Sequence, residues 1–524
     1  MSVELVKDLF KLDQKVGENF IQTIVEGDIL VPDTKPDISR VLSATGKLHI
    51  SKKEVLDNKI AVEGITYFKI LYVSDQGDQP LYSIDTNTQF KEDIDIEGLS
   101  PNMKAEVLAD VQHIDFNINN ERKIGVKAVI NLNGKGTQEQ DLKVTKDIEG
   151  LEDIQVLKED FKYTDVVGVN KSDTLIKDNF EMNEDDYEIK EVLKWDATVL
   201  EKETKITDGK VIVGGMVNIE ILYTDEDEEN PLKAIKREIP FTHFVEITDA
   251  FSDMNYKLNL SVDELYYDIK EDIRGERKIV DIEAVVNVEA KVMDTQSREI
   301  LVDTYSPSKS LKIDKKTIEL NENIGINKAN VLLKETLDIP QGNPPIDEVF
   351  SVIIKPILTD YSTLENKVAI EGILEATVMY KSLDDVSPLY SFIQEVPFRH
   401  YVDIEGLKEN MESEVELFIE DIDYNNVNSE QIEIKVNLGA TCEAYSKKII
   451  EVIDAIEELE EDTSIKERPS LTIYYMQPED TLWKVAKKYN TTVQKIMDTN
   501  NIEDPLSIKP GDHVIIEKVH NFKL

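Results

Sequence analysis

Cysteine occurs once in 524 residues, at Cys442, so the chain can form no internal disulfide, and this fits a reducing compartment. Histidine occurs six times, at 49, 113, 243, 400, 513 and 520, with no HExxH spacing and no cluster with cysteine. There is no P-loop, no dinucleotide-type glycine signature and no nucleophile elbow. No stretch approaches the roughly 18 consecutive apolar residues needed to cross a bilayer. The opening MSVELVKDLFKLDQ carries acids and no apolar run of the kind that begins an export signal. Positive charge is also scarce. Sixty Lys and Arg face 106 Asp and Glu, a formal charge of −46. That balance disfavours nucleic acid, whose phosphates need clustered basic residues, and an anionic membrane surface for the same reason. The expectation is a soluble cytosolic protein, not an enzyme, with no cofactor and no metal.

What is present is apolar material enough for real cores, at 40% hydrophobic and 32% charged residues, in a length that suggests three to five domains. The charge is unevenly spread. Residues 471–524 hold seven Lys and seven Asp or Glu, so the full −46 lies on residues 1–470, with 53 basic against 99 acidic residues. The tail is an electrostatically separate unit, and the acidic, polar run EELEEDTSIKERPS (457–470) reads as the linker that holds it away from the body.

Three segments of the body align without a gap: KIAVEGITYFKILY from Lys59, KVIVGGMVNIEILY from Lys210 and KVAIEGILEATVMY from Lys367. Each has Gly five residues after the Lys (Gly64, Gly215, Gly372) and Tyr eight further on (Tyr72, Tyr223, Tyr380). Pro80, Pro231 and Pro388 follow at equal spacing, then Met103, Met254 and Met411. The register extends back to Ile38, Ile189 and Ile346, so the body is a triplication. Period-2 alternation makes the shared stretch a strand with one face buried, and its central Gly implies a bulge or a close backbone approach. With six or seven strands per copy, the fold class is mainly β: three tandem antiparallel sandwich-like or barrel-like repeats over 1–150, 151–311 and 312–456. His243 and His400 fall at equivalent positions, but the first copy has Glu92 there, which argues against a shared metal or acid–base role. Acid-rich runs at 225–230 and 457–462 lack Ca²⁺-loop spacing and read as solvated turn and linker.

These repeats resemble the SPOCS domain of spore-coat assembly proteins, in the strand above and in the lead-in Ile-x-x-Val at Ile38/Val41, Ile189/Val192 and Ile346/Val349. VPDTKPDI (31–38) and IPQGNPPI (339–346) share two prolines. NEDDYEI (183–189) lacks them, which implies a differently shaped loop in the middle copy.

From 471 to 518 the pattern becomes strand, helix, helix, strand, a small α+β unit. Asp480 or Thr481 can cap a first helix whose Leu482, Val485, Ala486 and Tyr489 share one face. Thr491 with Gln494 reads as a capping box for the second helix, which Asn500 and Asn501 end. With DTLWKVAKKY, TTVQ, NNI and the Pro510-Gly511 turn in order, this stretch resembles a LysM domain. The resemblance implies a groove between Pro478, Glu479, Asp480, Thr481 and Leu482 on one side and Leu506, Ile508, Pro510 and Gly511 on the other. Trp483 and Ile502 flank it. Trp483 and Tyr489, at helical spacing, fit core or groove wall better than ligand stacking. Glu479 stands where that family usually has Gly, and it adds bulk and charge where a sugar would approach.

SPOCS copies followed by one LysM resemble spore-coat morphogenetic proteins of the SipL type. The resemblance implies a non-enzymatic scaffold in the mother-cell cytoplasm at the forespore surface. Its LysM head would dock to stage IV sporulation protein A, the forespore-encasing ATPase, and its body would carry coat proteins. The alternative is a binder of peptidoglycan or chitin oligomers. The apolar groove residues Leu482, Trp483, Ile502, Leu506 and Ile508 are the expected anchors, because apolar and aromatic groups dominate interface energy.

Overall fold

Each copy begins with a long strand, makes a three-stranded meander, and returns with two more strands to pair with the first. In the computed structural model the first copy comprises β1 (Glu4–Leu30), β2 (Arg40–Leu56), β3 (Lys59–Val73), β4 (Tyr82–Asp95), β5 (Lys104–Asn120) and β6 (Lys123–Glu149). The second runs through β7 (Gln155–Glu181), β8 (Glu191–Thr207), β9 (Lys210–Thr224), β10 (Leu232–Glu246), β11 (Asn255–Glu271) and β12 (Arg277–Tyr305). The third comprises β13 (Leu311–Asp338), β14 (Ile346–Leu364), β15 (Lys367–Ser382), β16 (Leu389–Asp403), β17 (Glu412–Asn428) and β18 (Gln431–Glu458). The tail holds β19 (Leu471–Tyr475), α1 (Leu482–Tyr489), α2 (Val493–Asn500) and β20 (His513–Glu517). The structure describes residues 4–76, 79, 81–150, 152–184, 186–227, 231–382, 389–459 and 470–517; the predicted linker falls mostly on 460–469, outside the described residues.

The meander forms one antiparallel sheet, β2-β3-β4, and the outer strands form a second, β1-β6-β5; the other two copies repeat both orders. The two sheets face each other as a sandwich. Ile60, Val62, Phe68 and Ile70 of β3 interleave with Ile124, Val126, Ala128 and Ile130 of β6, all buried. The repeated glycine proves to be both a bulge partner and a close approach. Gly372 lies opposite the register shift between Leu358 and Asp360, and a Cβ there would fall 2.5 Å from the Phe398 ring and from the Ile357 carbonyl oxygen. Gly215 meets Phe241 and the Leu200 carbonyl in the same way, at 2.5 and 2.9 Å. A side chain has no room at this site.

The lead-in loop of the middle copy differs from expectation. Despite its missing prolines it makes the same turn: Asp186 N–H donates to the Asn183 carbonyl at 3.1 Å, as Lys35 does to Pro32 and Asn343 to Pro340. Asn183 replaces proline rigidity with side-chain bonds, its N–H and Nδ2 both donating to Asp186 Oδ2 at 3.0 Å.

The three sandwiches close into a ring with pseudo-threefold arrangement. At one end Leu42, Leu71 and Leu81 meet their counterparts Leu193, Leu222, Leu232 and Phe350, Met379, Leu389 in a single apolar cluster. At the other end the long strands outrun their sandwiches as three two-stranded ribbons and pack on one another. Phe10, Phe161 and Ile318 occupy one repeated position in this hub, and Val144, Ile300 and Val452 another. Phe10 stacks on Phe161 and Tyr163 at 6.5 and 5.2 Å. Lysines stitch the flanks: Lys47 to Asp196 between copies one and two, Lys202 to Asp421 at 2.6 Å between two and three, and Lys355 to Asp110 at 2.5 Å between three and one.

The long strands carry a second repeated glycine, in Val16-Gly17-Glu18-Asn19, Val167-Gly168-Val169-Asn170 and Ile324-Gly325-Ile326-Asn327. It marks the bulge where sandwich becomes ribbon. Each Asn then locks its sandwich by donating from Nδ2 to a carbonyl of the opposite sheet: Asp95 at 2.8 Å, Glu246 at 2.9 Å and Asp403 at 2.7 Å.

Candidate functional site

The tail module folds as its pattern predicts, around Met476, Leu482, Val485, Ala486, Ile496, Val514 and Ile516. Thr481 caps α1, its Oγ1 accepting from Lys484 N–H at 3.2 Å. The cap of α2 is Thr492, accepting from Lys495 N–H at 3.1 Å, and not Thr491 as predicted. Thr491 is buried instead, and its carbonyl accepts a hydrogen bond from the body. Asn500 ties α2 to β20, donating to the Ile515 carbonyl and accepting from Ile515 N–H at 2.8 and 2.7 Å.

The two loops of the predicted groove lie side by side, because Gly511 N–H donates to the Met476 carbonyl and Met476 N–H to that of Asp512, both at 2.8 Å. Pro478, Glu479, Thr481, Leu506, Pro510 and Gly511 are exposed, Leu506 to 89%; Asp480, Ile502 and Ile508 are half-buried. Leu482 is a core residue beneath the first loop, at 3% exposure. Asp480 holds that loop, its Oδ2 accepting from Gln477 N–H at 2.8 Å and from the Tyr474 hydroxyl at 2.7 Å. These bonds, the backbone one first, keep its carboxyl below the usual range. Glu479 adopts φ +68°, a left-handed backbone that glycine enters without steric cost and glutamate does not. Against the Gly that the LysM resemblance implies at this position, Glu479 differs twice: it places a carboxylate on the loop, and it holds a backbone conformation that costs it more than glycine.

The module is not held away from the body. Trp483 Nε1 donates to Asp303 Oδ2 at 2.8 Å, and Lys487 Nζ reaches Asp303 Oδ1 at 2.6 Å. Two residues on, the Tyr305 ring joins the module's own core, edge-on to Trp483 at 4.9 Å, and its hydroxyl donates to the Thr491 carbonyl at 2.9 Å. Lys315 of the third copy approaches the same carboxylate at 3.4 Å. Burial opposes ionisation of Asp303, but the bonds from Lys487 and Trp483 outweigh it and hold its carboxyl below the normal range. Trp483 is thus turned to the body. The four loop residues Pro478 to Thr481 and the loop around Leu506 stay clear of that contact.

The ring offers a second concavity, a polar chamber of about 520 Å³ lined by all three copies. Lys135 and Glu414 pair across it at 2.8 Å, and Lys257 faces Glu443 at 3.4 Å. Burial opposes the charge on Glu414, but Lys135 prevails and keeps it ionised below its usual range. Of the two repeat histidines, His243 has a local hydrogen-bond partner, whereas the buried Nε2 of His400 has none among the described residues. His243 Nε2 lies 2.9 Å from Ser172 Oγ, and Glu92 at the equivalent place accepts from Thr23 Oγ1 at 2.6 Å. Among the described residues no group of His, Cys, Asp and Glu is arranged to hold a metal ion. Asp225, taken as solvated turn, is buried and accepts from Asp227 N–H at 3.0 Å. No described helix is long and apolar enough to cross a membrane.

A ring of three β-sandwiches with one small βααβ module is a mainly β, multidomain protein. Residues 37–119, 188–270 and 345–427 match the family model described as SipL, SPOCS domain, and residues 474–517 match the LysM domain. The chain therefore has the SipL-type architecture, three SPOCS repeats followed by a LysM domain. Both are binding domains, and the combination fits a protein associated with the sporulation coat that carries a module of glycan-binding type. No curated protein and no solved structure matches the chain. The matched SPOCS segments cover the meander and the strand after it, and leave out the long strands that build the hub.

Proposed function

We propose that this chain is a non-enzymatic scaffold in spore-coat assembly. It acts in the mother-cell cytoplasm, at the forespore surface. The LysM module docks to stage IV sporulation protein A, the forespore-encasing ATPase, and the acidic ring carries coat proteins outward. The observation that carries this reading is Glu479, an exposed acid at φ +68° in the groove loop, opposite the exposed Leu506. A sugar gains little from a carboxylate where backbone approach is needed, while a protein surface can use both the charge and the apolar side chain. The module is also neutral on a −46 chain, so its own surface adds no net charge repulsion toward an acidic partner.

The second reading, binding of peptidoglycan or chitin oligomers, is favoured by the LysM match itself. Calorimetry on the full chain decides between them. Binding to the ATPase that Leu506→Arg abolishes, with weak or no binding of chitin oligomers, supports docking. Tight glycan binding with none to the ATPase places the protein in the carbohydrate class.

A further inference from the structure

The face of the LysM module formed by Trp483, Lys487 and the Thr491 carbonyl makes three specific demands. It presents an indole N–H donor, an ammonium group and, between its two helices, a carbonyl acceptor. The body meets all three with Asp303-Thr304-Tyr305, the last residues of the extended strand β12. Pseudo-symmetry shows that this is a particular solution, not a property of the repeat. The equivalent strand ends carry Asp147 with Glu149 in the first copy and Ala455 with Glu457 in the third, and neither has the aromatic hydroxyl. Only the second ribbon can hold the module.

The contact is nonetheless small: one aromatic ring and a few polar bonds, beside ring interfaces built from whole apolar clusters. The module stays covalently joined to the body when it lets go, so release and recapture are reversible. Whatever replaces the internal segment must satisfy the same donors and the same acceptor, because leaving buried polar groups unpaired is costly.

We propose that Asp303-Thr304-Tyr305 is an internal ligand of the LysM module, and that a protein partner takes the same face by displacing it with the same chemistry: a carboxylate two residues before an aromatic hydroxyl on an extended strand. The identity of that partner as the coat ATPase rests on the proposed scaffold function; the internal ligand does not. The groove loops, which lie outside the contact, are free to make the first encounter, and displacement of Asp303 and Tyr305 then exposes Trp483 as an anchor.

Hydrogen exchange on the full chain, without any partner, tests the internal half. Asp303→Lys and Lys487→Glu should each raise exchange in residues 482–491, and the double variant, with the charges exchanged, should restore part of the protection. Unchanged exchange in both single variants would overturn the internal ligand. The chemistry is tested by a synthetic peptide of residues 299–307 added to the Asp303→Lys chain. Protection should return near about 1 mM, the range of a short tether's effective concentration. A peptide with Tyr305→Phe should need several-fold more. No return of protection, or no difference between the peptides, would overturn the stated chemistry. Competition is read with the ATPase. The Asp303→Lys chain should bind it at least about fivefold more tightly than the parent. Equal or weaker binding refutes displacement, and no binding by parent or variant refutes the proposed partner while exchange and peptide still judge the internal ligand.

Discussion

The ring and its head are held by opposite means. In the ring, the apolar contacts recur at equivalent positions of the three copies: Leu71, Leu222 and Met379 cap one end, and Phe10, Phe161 and Ile318 fill the other. The head is held by one residue pair, Asp303 and Tyr305, that the neighbouring copies lack. Repetition gives a closed assembly whose parts depend on each other; a single departure from repetition gives a place where one module can be attached and detached. If this contrast is right, damage to the hub should be felt by all three sandwiches, and damage at Asp303 by the head alone.

The largest effect expected is from Phe161→Ala. Phe161 is fully buried in the hub and stacks with Phe10 of the first copy. Its truncation should cost about 3–5 kcal/mol. Urea denaturation should show the loss in one cooperative transition shared by the three copies. A separate early transition of the second copy would break the idea that the hub unites them. Gly372→Val acts inside one sandwich, where a Cβ would meet both the Phe398 ring and the Ile357 carbonyl. A cost of about 2–3 kcal/mol is expected. Hydrogen exchange should place it in β14–β16 first. Exchange rising equally in all three copies would mean that the sandwiches are less independent than the ring's symmetry suggests.

Much of this was legible. The triplicate strand, its glycine and the LysM pattern are written in plain period-2 and helical spacing. The ring was also written there, in a signal easily passed over: each repeated strand ends with two adjacent apolar residues, Leu71-Tyr72, Leu222-Tyr223 and Met379-Tyr380. Adjacent apolar positions bury both faces of a strand. The Tyr goes to its own sandwich and its neighbour to the shared cap. The Gly-x-Asn of the long strands keeps the same spacing as the rest and extends the repeat back to residue 16, though the residues between it and Ile38 diverge enough to hide it. The docking of the head was not legible. It depends on Tyr305, which looks like any strand-end aromatic until its counterparts Glu149 and Glu457 are set beside it in space.

A subtler test of the ring uses pH. Lys69 and Glu220 occupy one repeated position near the axis, and Glu220 is pushed above the normal carboxyl range by burial, against the pull of Lys236 and Lys194. A raised carboxyl pKa means that the folded state resists ionisation, so this group costs stability at neutral pH and ceases to do so once both states are protonated, below about pH 4.5. Glu220→Gln should therefore raise the urea midpoint at pH 7, and the advantage should shrink as the pH falls toward 4.5. A gain that is the same at both values would mean that packing, not charge, is responsible.

The smallest effect concerns Glu479 in the head's first loop. Glu479 at φ +68° carries a steric penalty that glycine escapes, while glycine loses more freedom on folding. The two oppose each other, and the net gain from Glu479→Gly should be only about 0.5 kcal/mol. Exchange at Asp480 and Thr481 should slow accordingly, since the loop's bonds to Asp480 Oδ2 do not involve the Glu479 side chain. The functional consequence separates the two readings of the groove. With carboxylate and bulk removed, chitin-oligomer binding should improve if the groove is a glycan site, and binding to a protein partner should not. If the glycine variant instead gains affinity for the ATPase, then Glu479 opposes docking. The acid at that position would then be an obstacle that the partner tolerates, not a contact that it uses.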